Sequence, residues 1–132
     1  MAFGQANVVT NSGKAIAAKR HIGATPAQAE PKFIGIGTGA QTADRTAAAA
    51  DTALSTEVES RATGAMSNVT QTVTNDTVQI QGSITATAPR VVNEAATFDA
   101  STAGAIDLSS TFNPINLQTG DTLQLTFRKT FG

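Results

Sequence analysis

The sequence contains no cysteine, tryptophan or tyrosine, and only 14% of its residues are charged. Without cysteine, the chain has neither disulfides nor thiolate metal sites. Tryptophan and tyrosine usually form the stacking platforms of sugar and single-stranded nucleic-acid sites, so their absence argues against both kinds of site. A net charge of -1 provides no overall field that would attract nucleic acid or an anionic membrane. The composition therefore predicts a protein that binds neither nucleic acid nor a membrane.

Long apolar stretches are also missing. No run approaches the roughly 20 apolar residues that cross a bilayer as a helix, and the N-terminus lacks the charged and apolar regions of a secretory leader. The sequence therefore predicts a soluble protein made in the cytoplasm. At 132 residues, the chain is long enough for one domain with a substantial core. Threonine, serine, asparagine and glutamine must cover much of the surface, which favours β-sheet faces over salt-bridged helices.

The most regular pattern in the chain spans residues 68–88. From Val78 to Ala88, apolar and glycine residues alternate with polar ones, and Val69 and Val73 alternate with threonines before them. A period of two is typical of a strand with one buried face. Asn75-Asp76 between the two runs predicts a two-residue hairpin turn. Because such a hairpin is apolar on one face only, the remaining chain must supply a second apolar layer.

Further short strands are predicted on both sides of this hairpin. A short buried strand is predicted within residues 33–39, and a second over 91–99 with Phe98 as a core aromatic. A third strand is predicted over 105–112, where Asn113-Pro114 would end it, and a last strand over 122–128. Leu123, Leu125 and Phe127 of the last strand are expected to face inward. Short strands separated by turn signals predict an all-β fold, a β-sandwich or jelly-roll-like domain with one short helix.

Two stretches are candidates for that helix. Residues 41–61 have the clearest helical character, since Ala47 to Ala50 favour helix and the following residues could add a turn or two. A short helix from Lys14 to Lys19 is also possible, although no amphipathic stripe supports it. Neither stretch predicts a long independent helix.

Residues 1–31 are predicted to form an extended N-terminal arm, followed by a β-sandwich domain over 32–132. The arm is rich in small and amide residues and contains a proline connector over 24–31. Its basic residues fall close together and are the candidate partner contacts: Lys14, Lys19, Arg20 and His21. The alternative is a loosely packed terminus whose basic residues are simply solvated.

Catalytic and metal-binding patterns are weak. The only histidine, His21, lies beside two cations in the predicted arm, so a solvated side chain explains it better than catalysis. Four acids, which could suggest a metal site, do not follow the EF-hand spacing, and ion pairing with Arg45 and Arg61 explains them more simply: Asp44, Asp51, Glu57 and Glu59. We expect no cofactor, no metal and no enzymatic activity. A small hydrolase would need a paired acid, and the pairs to test are Asp51/Glu57 and Glu94/Asp99.

Three segments together resemble a pattern found in structural proteins of tailed bacteriophages. They are Phe33-Ile-Gly-Ile-Gly-Thr-Gly39, Asp51-Thr-Ala-Leu-Ser-Thr-Glu-Val-Glu-Ser-Arg61 and Asn93-Glu-Ala-Ala-Thr-Phe-Asp99. Residues 110–112 and 117–126 resemble the end of the same pattern, so that the resemblance covers roughly residues 33–127. One departure is Ala96-Thr97, which stands where the pattern has Gly-Leu.

The resemblance implies a non-enzymatic virion component, either a capsid decoration (cement) protein or a tail or tail-fibre-associated module. We expect a decoration protein on the capsid surface that binds between subunits of the major capsid protein and stabilises the head. Such proteins are commonly symmetric oligomers, and a homotrimer is expected here. A carbohydrate-binding β-sandwich stays open as a function of another class.

Overall fold

The computed structural model describes residues 8–24, 29–40 and 46–131. One helix, α1 (Asn11–His21), is found among them. The strands are β1 (Val8–Val9), β2 (Phe33–Gly37), β3 (Glu57–Thr63), β4 (Ala65–Val69), β5 (Thr77–Thr85), β6 (Arg90–Phe98), β7 (Ile106–Leu117) and β8 (Thr122–Thr130). The predicted all-β fold with one short helix is confirmed. None of the described helices is long and apolar enough to cross a membrane.

Two antiparallel sheets make up the fold. The first has five strands in the order β1-β7-β6-β2-β3, and the second has three in the order β4-β5-β8. Their inner faces share one core, to which both sheets contribute large aliphatic or aromatic side chains: Ile34, Ile36, Val92 and Leu108 from the first, and Ile80, Ile84 and Phe127 from the second. This arrangement buries the single apolar face of the predicted hairpin. The more specific jelly-roll topology stays a prediction.

The chain passes directly from one sheet to the other at Gly64, between β3 and β4. Gly64 donates a backbone hydrogen bond to the Lys32 carbonyl at 2.7 Å. A Cβ atom here would lie 2.6 Å from the Ile80 side chain and 2.9 Å from the same carbonyl, so that only glycine fits without displacement. Gly64 therefore connects β3, at an edge of the five-stranded sheet, to β4, at an edge of the three-stranded sheet.

A second apolar cluster lies on the opposite face of the five-stranded sheet. It contains Leu54, Ala96, Phe98 and Ile106, with Phe33 packed against it. Leu54 belongs to the irregular segment that precedes β3, and this segment covers β6 on the side away from the main core. Both faces of β6 are consequently buried, which explains its nearly continuous run of buried residues from Val92 to Phe98.

One buried carboxylate fastens that covering segment to the sheet. Glu94 on β6 is fully buried and accepts hydrogen bonds from the backbone N–H groups of Gly39 (3.2 Å), Ser55 (3.0 Å) and Thr56 (2.9 Å). The neighbouring Asn93 side chain accepts one from Ala40 at 3.0 Å. The two side chains thus accept hydrogen bonds from backbone N–H groups that have no partner in a neighbouring strand.

The predicted hairpin forms, but its predicted two-residue turn at Asn75-Asp76 is wrong, because β4 ends at Val69 and Val73 lies in the loop. Val69 pairs with Thr77, so that seven residues rather than two join β4 to β5. The carboxylate of Asp76 accepts hydrogen bonds from the backbone N–H groups of Gln71, Thr72 and Val73, which stabilise the loop and lower the pKa of Asp76 well below its usual range. The predicted polar face is also confirmed, for example where the Thr85 and Thr122 hydroxyls hydrogen-bond across β5 and β8.

The extended conformation predicted for residues 1–31 is wrong for residues 11–21, which are helical and include the helix candidate Lys14 to Lys19. Val8–Val9 pairs with Ser109 and Leu108 as the edge strand β1, and Asn11–His21 forms the helix α1. Residues 1–7 and 25–28 lie outside the described part of the chain. The domain boundary after residue 31 stays a prediction.

Two further expectations are wrong. Residues 46–56 contain no helix, and Glu57 begins a strand paired with β2, because tertiary pairing outweighs the local preference of the alanines. Residues 41–45 lie outside the described residues. Asn113-Pro114 does not close β7, which continues to Leu117. The register of β6 and β7 shifts between Val92 and Glu94, so that Pro114 lies at an irregularity where a ladder hydrogen bond is not required.

Candidate functional site: helix α1 and the adjoining groove

Helix α1 starts at a cap that is built into the sheet. The buried Thr10 hydroxyl accepts a hydrogen bond from the Gly13 N–H at 2.9 Å and donates one to the Ile106 carbonyl at 2.6 Å. The Thr10 N–H also donates to the Asp107 carbonyl at 2.9 Å. An N-cap threonine satisfies one of the unpaired donors at a helix start. Here the same residue also fixes the position of the helix on β7.

The helix lies against β7 at Gly13. A Cβ atom at this position would lie 2.9 Å from the Asp107 Cα and closer still to the Asp107 carbonyl and Oδ1 oxygens. Such close backbone approach is possible only without a side chain. Ile16, one turn later, is the only buried residue of the helix with a large side chain. The position of the helix is therefore determined mainly by its first turn and Ile16.

We expect Gly13→Ala to destabilise the protein, although the same change in an exposed helix interior usually stabilises by about 0.5–1 kcal/mol. The added methyl group would force α1 away from β7, where backbone atoms rather than flexible side-chain ends obstruct it. Urea unfolding should show a loss of about 1–3 kcal/mol, typical of overpacking. Ala18→Gly, at an exposed position of the same helix, is the control for propensity alone. A Gly13→Ala variant as stable as the wild type would contradict this close packing.

The four residues predicted to contact a partner all lie on α1, and all are exposed. Within the described part of the chain, neither Lys14 nor Lys19 takes part in an ion pair. Arg20 lies 3.9 Å from the Glu30 carboxylate, in a pair that is about half exposed on both sides. His21 is exposed at the end of the helix. The four residues predicted as an arm cluster therefore lie on α1, which contains the shorter helix candidate, Lys14 to Lys19. Their role as partner contacts stays a prediction.

A groove separates α1 from the three-stranded sheet. Its volume is about 430 Å³, and it is lined by Ile16, Ala17, Arg20 and His21 of the helix together with Pro31, Met66, Val78, Asp107, Lys129 and Phe131. Phe131 is a large exposed apolar side chain at one side. The lining is thus mainly apolar, with two basic side chains contributed by the end of the helix.

An ion pair between the sheets forms part of this lining. Lys129 Nζ lies 2.8 Å from Asp107 Oδ1, and the two side chains are only 10% and 3% exposed. Burial raises the pKa of the Asp107 carboxyl, and the charge and hydrogen bond of Lys129 oppose that increase. Lys129 thus neutralises Asp107, the acid among the described lining residues, while Arg20 pairs with Glu30.

The acids proposed for a metal or catalytic site have structural partners. Glu57 binds Arg61 at 2.7 Å, Glu59 binds Arg90 at 2.9 Å, and Asp51 accepts hydrogen bonds from Ala48 N–H and the Ser109 hydroxyl. Glu94 holds three backbone amides, and Asp99 accepts a hydrogen bond from the Ala105 N–H at 2.7 Å. Asp44 and Arg45 lie outside the described residues. Within the described residues, no three histidine, aspartate or glutamate side chains are grouped to hold a metal ion.

Sequence reasoning did not find the Asp107–Lys129 pair or the groove. One signal for the pair was present, because the alternation of β8 that turns Leu123, Leu125 and Phe127 inward also turns Lys129 inward. An inward-facing lysine requires a buried anion nearby. The groove had no such signal, since its two sides come from segments far apart in the sequence. No family model, no curated protein and no solved structure matches this chain.

Proposed function

We propose that the protein is a non-enzymatic virion structural protein, a capsid decoration protein that binds between subunits of the major capsid protein and stabilises the head. The observation that supports this most directly is the surface of α1. It presents Lys14, Lys19, Arg20 and His21 to solvent on a helix that is fixed to the sheet by Thr10 and Gly13. A rigid, exposed basic surface suits a complementary acidic protein surface.

The edges of the two sheets support the oligomeric part of the proposal. Among the described strands, β8 pairs with β5 alone and β3 pairs with β2 alone, so each has an edge without a strand partner. Edge strands can extend a neighbour's sheet through main-chain hydrogen bonds. Self-association as a homotrimer, with the basic helices directed at the capsid, would provide several simultaneous contacts and hence avidity.

Binding to heads tests the proposal. We expect the purified protein to co-sediment saturably with capsids that lack it, at a fixed ratio to the capsid protein. Lys14→Gln/Lys19→Gln should weaken this binding about tenfold and reduce its salt dependence, because two charge contacts are lost. The matched control is Ser101→Glu/Thr102→Glu, which lowers the net charge by the same amount at exposed positions of the loop between β6 and β7. It should bind as the wild type does.

Other outcomes contradict the proposal in distinguishable ways. Binding to tails alone would replace it with a tail-associated role. No binding to either structure would remove both virion functions. Equal weakening by the two variant pairs would show that overall charge, rather than the α1 surface, governs attachment. Truncation of residues 1–30 is a poor substitute for these variants, since it removes β1, the Thr10 cap and α1 from the folded protein.

A further inference from the structure

We propose that the groove between α1 and the three-stranded sheet binds an apolar side chain presented by an acidic segment of a partner protein. In identifying that partner with a capsid subunit, this inference rests on the proposed function. The chemistry of the bound segment follows from the groove itself and is tested separately. The argument depends on three properties of the groove: its lining, its rigidity and the charges beside it.

The lining favours an apolar side chain. Ile16, Ala17, Met66, Val78 and Phe131 contribute carbon surface from both sides, and Phe131 is about half exposed. A volume of about 430 Å³ falls within the range of about 300–1,000 Å³ typical of ligand pockets. It is large enough for one large aliphatic or aromatic side chain with part of its backbone. Filling such a pocket with a single anchoring side chain is typical of the centre of a protein interface.

The walls of the groove are fixed before anything binds. On one side, the Thr10 cap and the close approach of Gly13 to Asp107 hold α1 on β7. On the other, Lys129 Nζ is held 2.8 Å from Asp107 Oδ1, which connects β8 to β7 beneath the groove. A preformed site avoids most of the entropy lost when loops and side chains are ordered on binding.

The surrounding charge favours an acidic segment. The first forty residues contain four of the nine lysines and arginines but only one of the ten acids, a net charge of +3 against -4 for the remainder. Arg20 and His21 line the groove, and Arg20 also makes a long, half-exposed pair with Glu30 at 3.9 Å. Lys14 precedes Ala17 by three residues and His21 by seven, so it lies on the same side of the helix. Acidic residues on either side of the apolar anchor would meet these basic groups.

A second copy of this chain fits the groove less well than another protein. Glu30 makes only long ion pairs to Arg20 and Lys32, and the other eight acids of the described residues are engaged more closely within their own chain: Asp51, Glu57, Glu59, Asp76, Glu94, Asp99, Asp107 and Asp121. Using them to contact α1 of a neighbour would require these bonds to be shared or broken. An external acidic segment carries no such cost.

Short peptides test the chemistry without any virion. The probe is acetyl-Asp-Glu-Leu-Leu-Glu-Asp-amide, with one control in which both leucines are serine and another in which all four acids are lysine. We expect the acidic leucine peptide to shift the NMR methyl signals of Met66 and Val78 in the full-length protein. Each control peptide should bind about tenfold more weakly, because it lacks the anchor or the charge. Equal binding of the three peptides would overturn the inference.

Two adjacent alanines provide matched protein variants. Ala17 lines the groove, whereas Ala18 is exposed and does not. Ala17→Phe should fill the groove and abolish the methyl shifts, while Ala18→Phe should leave them unchanged. Both variants incur the same helix-propensity cost, below about 0.7 kcal/mol. Peptide binding retained by Ala17→Phe would overturn the inference. So would a concentration-dependent oligomer of the wild type that only Ala17→Phe dissociates, since the bound group would then be a second copy.

The same variants on capsids separate this inference from the proposed function. Head binding by the wild type and by Ala18→Phe, weakened about tenfold in Ala17→Phe, supports both. Head binding unaffected by Ala17→Phe supports the proposed function and overturns the inference. Selective peptide binding without any head binding supports the groove chemistry and overturns the proposed function.

Discussion

Glu94→Ala should destabilise the protein by about 2–4 kcal/mol. The variant leaves the N–H groups of Gly39, Ser55 and Thr56 without their acceptor; Glu94 and Gly39 are buried, whereas Ser55 and Thr56 are exposed residues whose N–H groups can bind water. A buried donor without a partner costs about 1–3 kcal/mol, and the two part-buried donors add less. The total is a large part of the stability of a marginal domain, which is about 5–15 kcal/mol. Urea unfolding followed by circular dichroism measures the loss.

The control for this variant is Glu30→Ala. Glu30 is exposed and makes only long ion pairs, 3.9 Å to Arg20 and 3.7 Å to Lys32. Its removal should cost less than about 0.5 kcal/mol. Equal effects of the two substitutions would show that Glu94 does not hold the segment before β3 in solution. A role of Glu94 as a catalytic acid would instead predict a folded but inactive variant.

Lys129→Met should destabilise the protein by about 3–5 kcal/mol, the usual cost of leaving one partner of a buried ion pair uncompensated. Methionine retains the length and most of the apolar stem of lysine, so the loss reports the charge rather than a cavity. Lys129→Met/Asp107→Ala removes both charges and should recover much of that stability. Chemical unfolding of the wild type, both single variants and the double variant completes the cycle. A double variant less stable than Lys129→Met would contradict this account.

The stability of Lys129→Met should also depend on pH in a defined direction. Without the lysine, burial alone acts on Asp107 and raises the pKa of its carboxyl further above 3.8. The folded state then binds this proton more tightly than the unfolded state does. The free energy of unfolding should therefore increase as the pH falls from about 7 through the raised pKa towards 3.8. The double variant lacks this contribution and serves as the control.

The strands could be predicted because their signals are local. The alternation around Ile80 and Ile84, and that around Leu123 and Phe127, persists over enough residues to specify both the strand and its buried face. The length of the connection between β4 and β5 could not be predicted in this way. Asn75-Asp76 has the chemistry of a tight turn, yet the Asp76 carboxylate holds three loop amides instead.

Helix α1 was difficult to predict because so little of it is buried. Gly13 and Ile16 are its only buried residues, so the sequence has no apolar stripe at helical spacing. Its stability depends on Thr10, whose hydroxyl binds a carbonyl almost a hundred residues away. The alanines at 47–50 have the opposite property, a strong local preference that distant packing overrides. Lys14 and Lys19 could be grouped because they are neighbours, whereas Asp107 and Lys129 meet only in the folded chain.

The strand order also determines when the protein can fold during its synthesis. β2–β3, β4–β5 and β6–β7 pair strands that are consecutive in the sequence, whereas the second ladder of β2 must wait for Phe98 in β6 and β1 must wait for Ser109 in β7. Phe33, Ile34 and Ile36 therefore leave the ribosome well before β6, the strand that completes their pairing. Such non-local pairing predicts folding on a scale of about milliseconds to seconds. During that interval the apolar segment is exposed to other chains, and overexpression at lower temperature should improve the soluble yield.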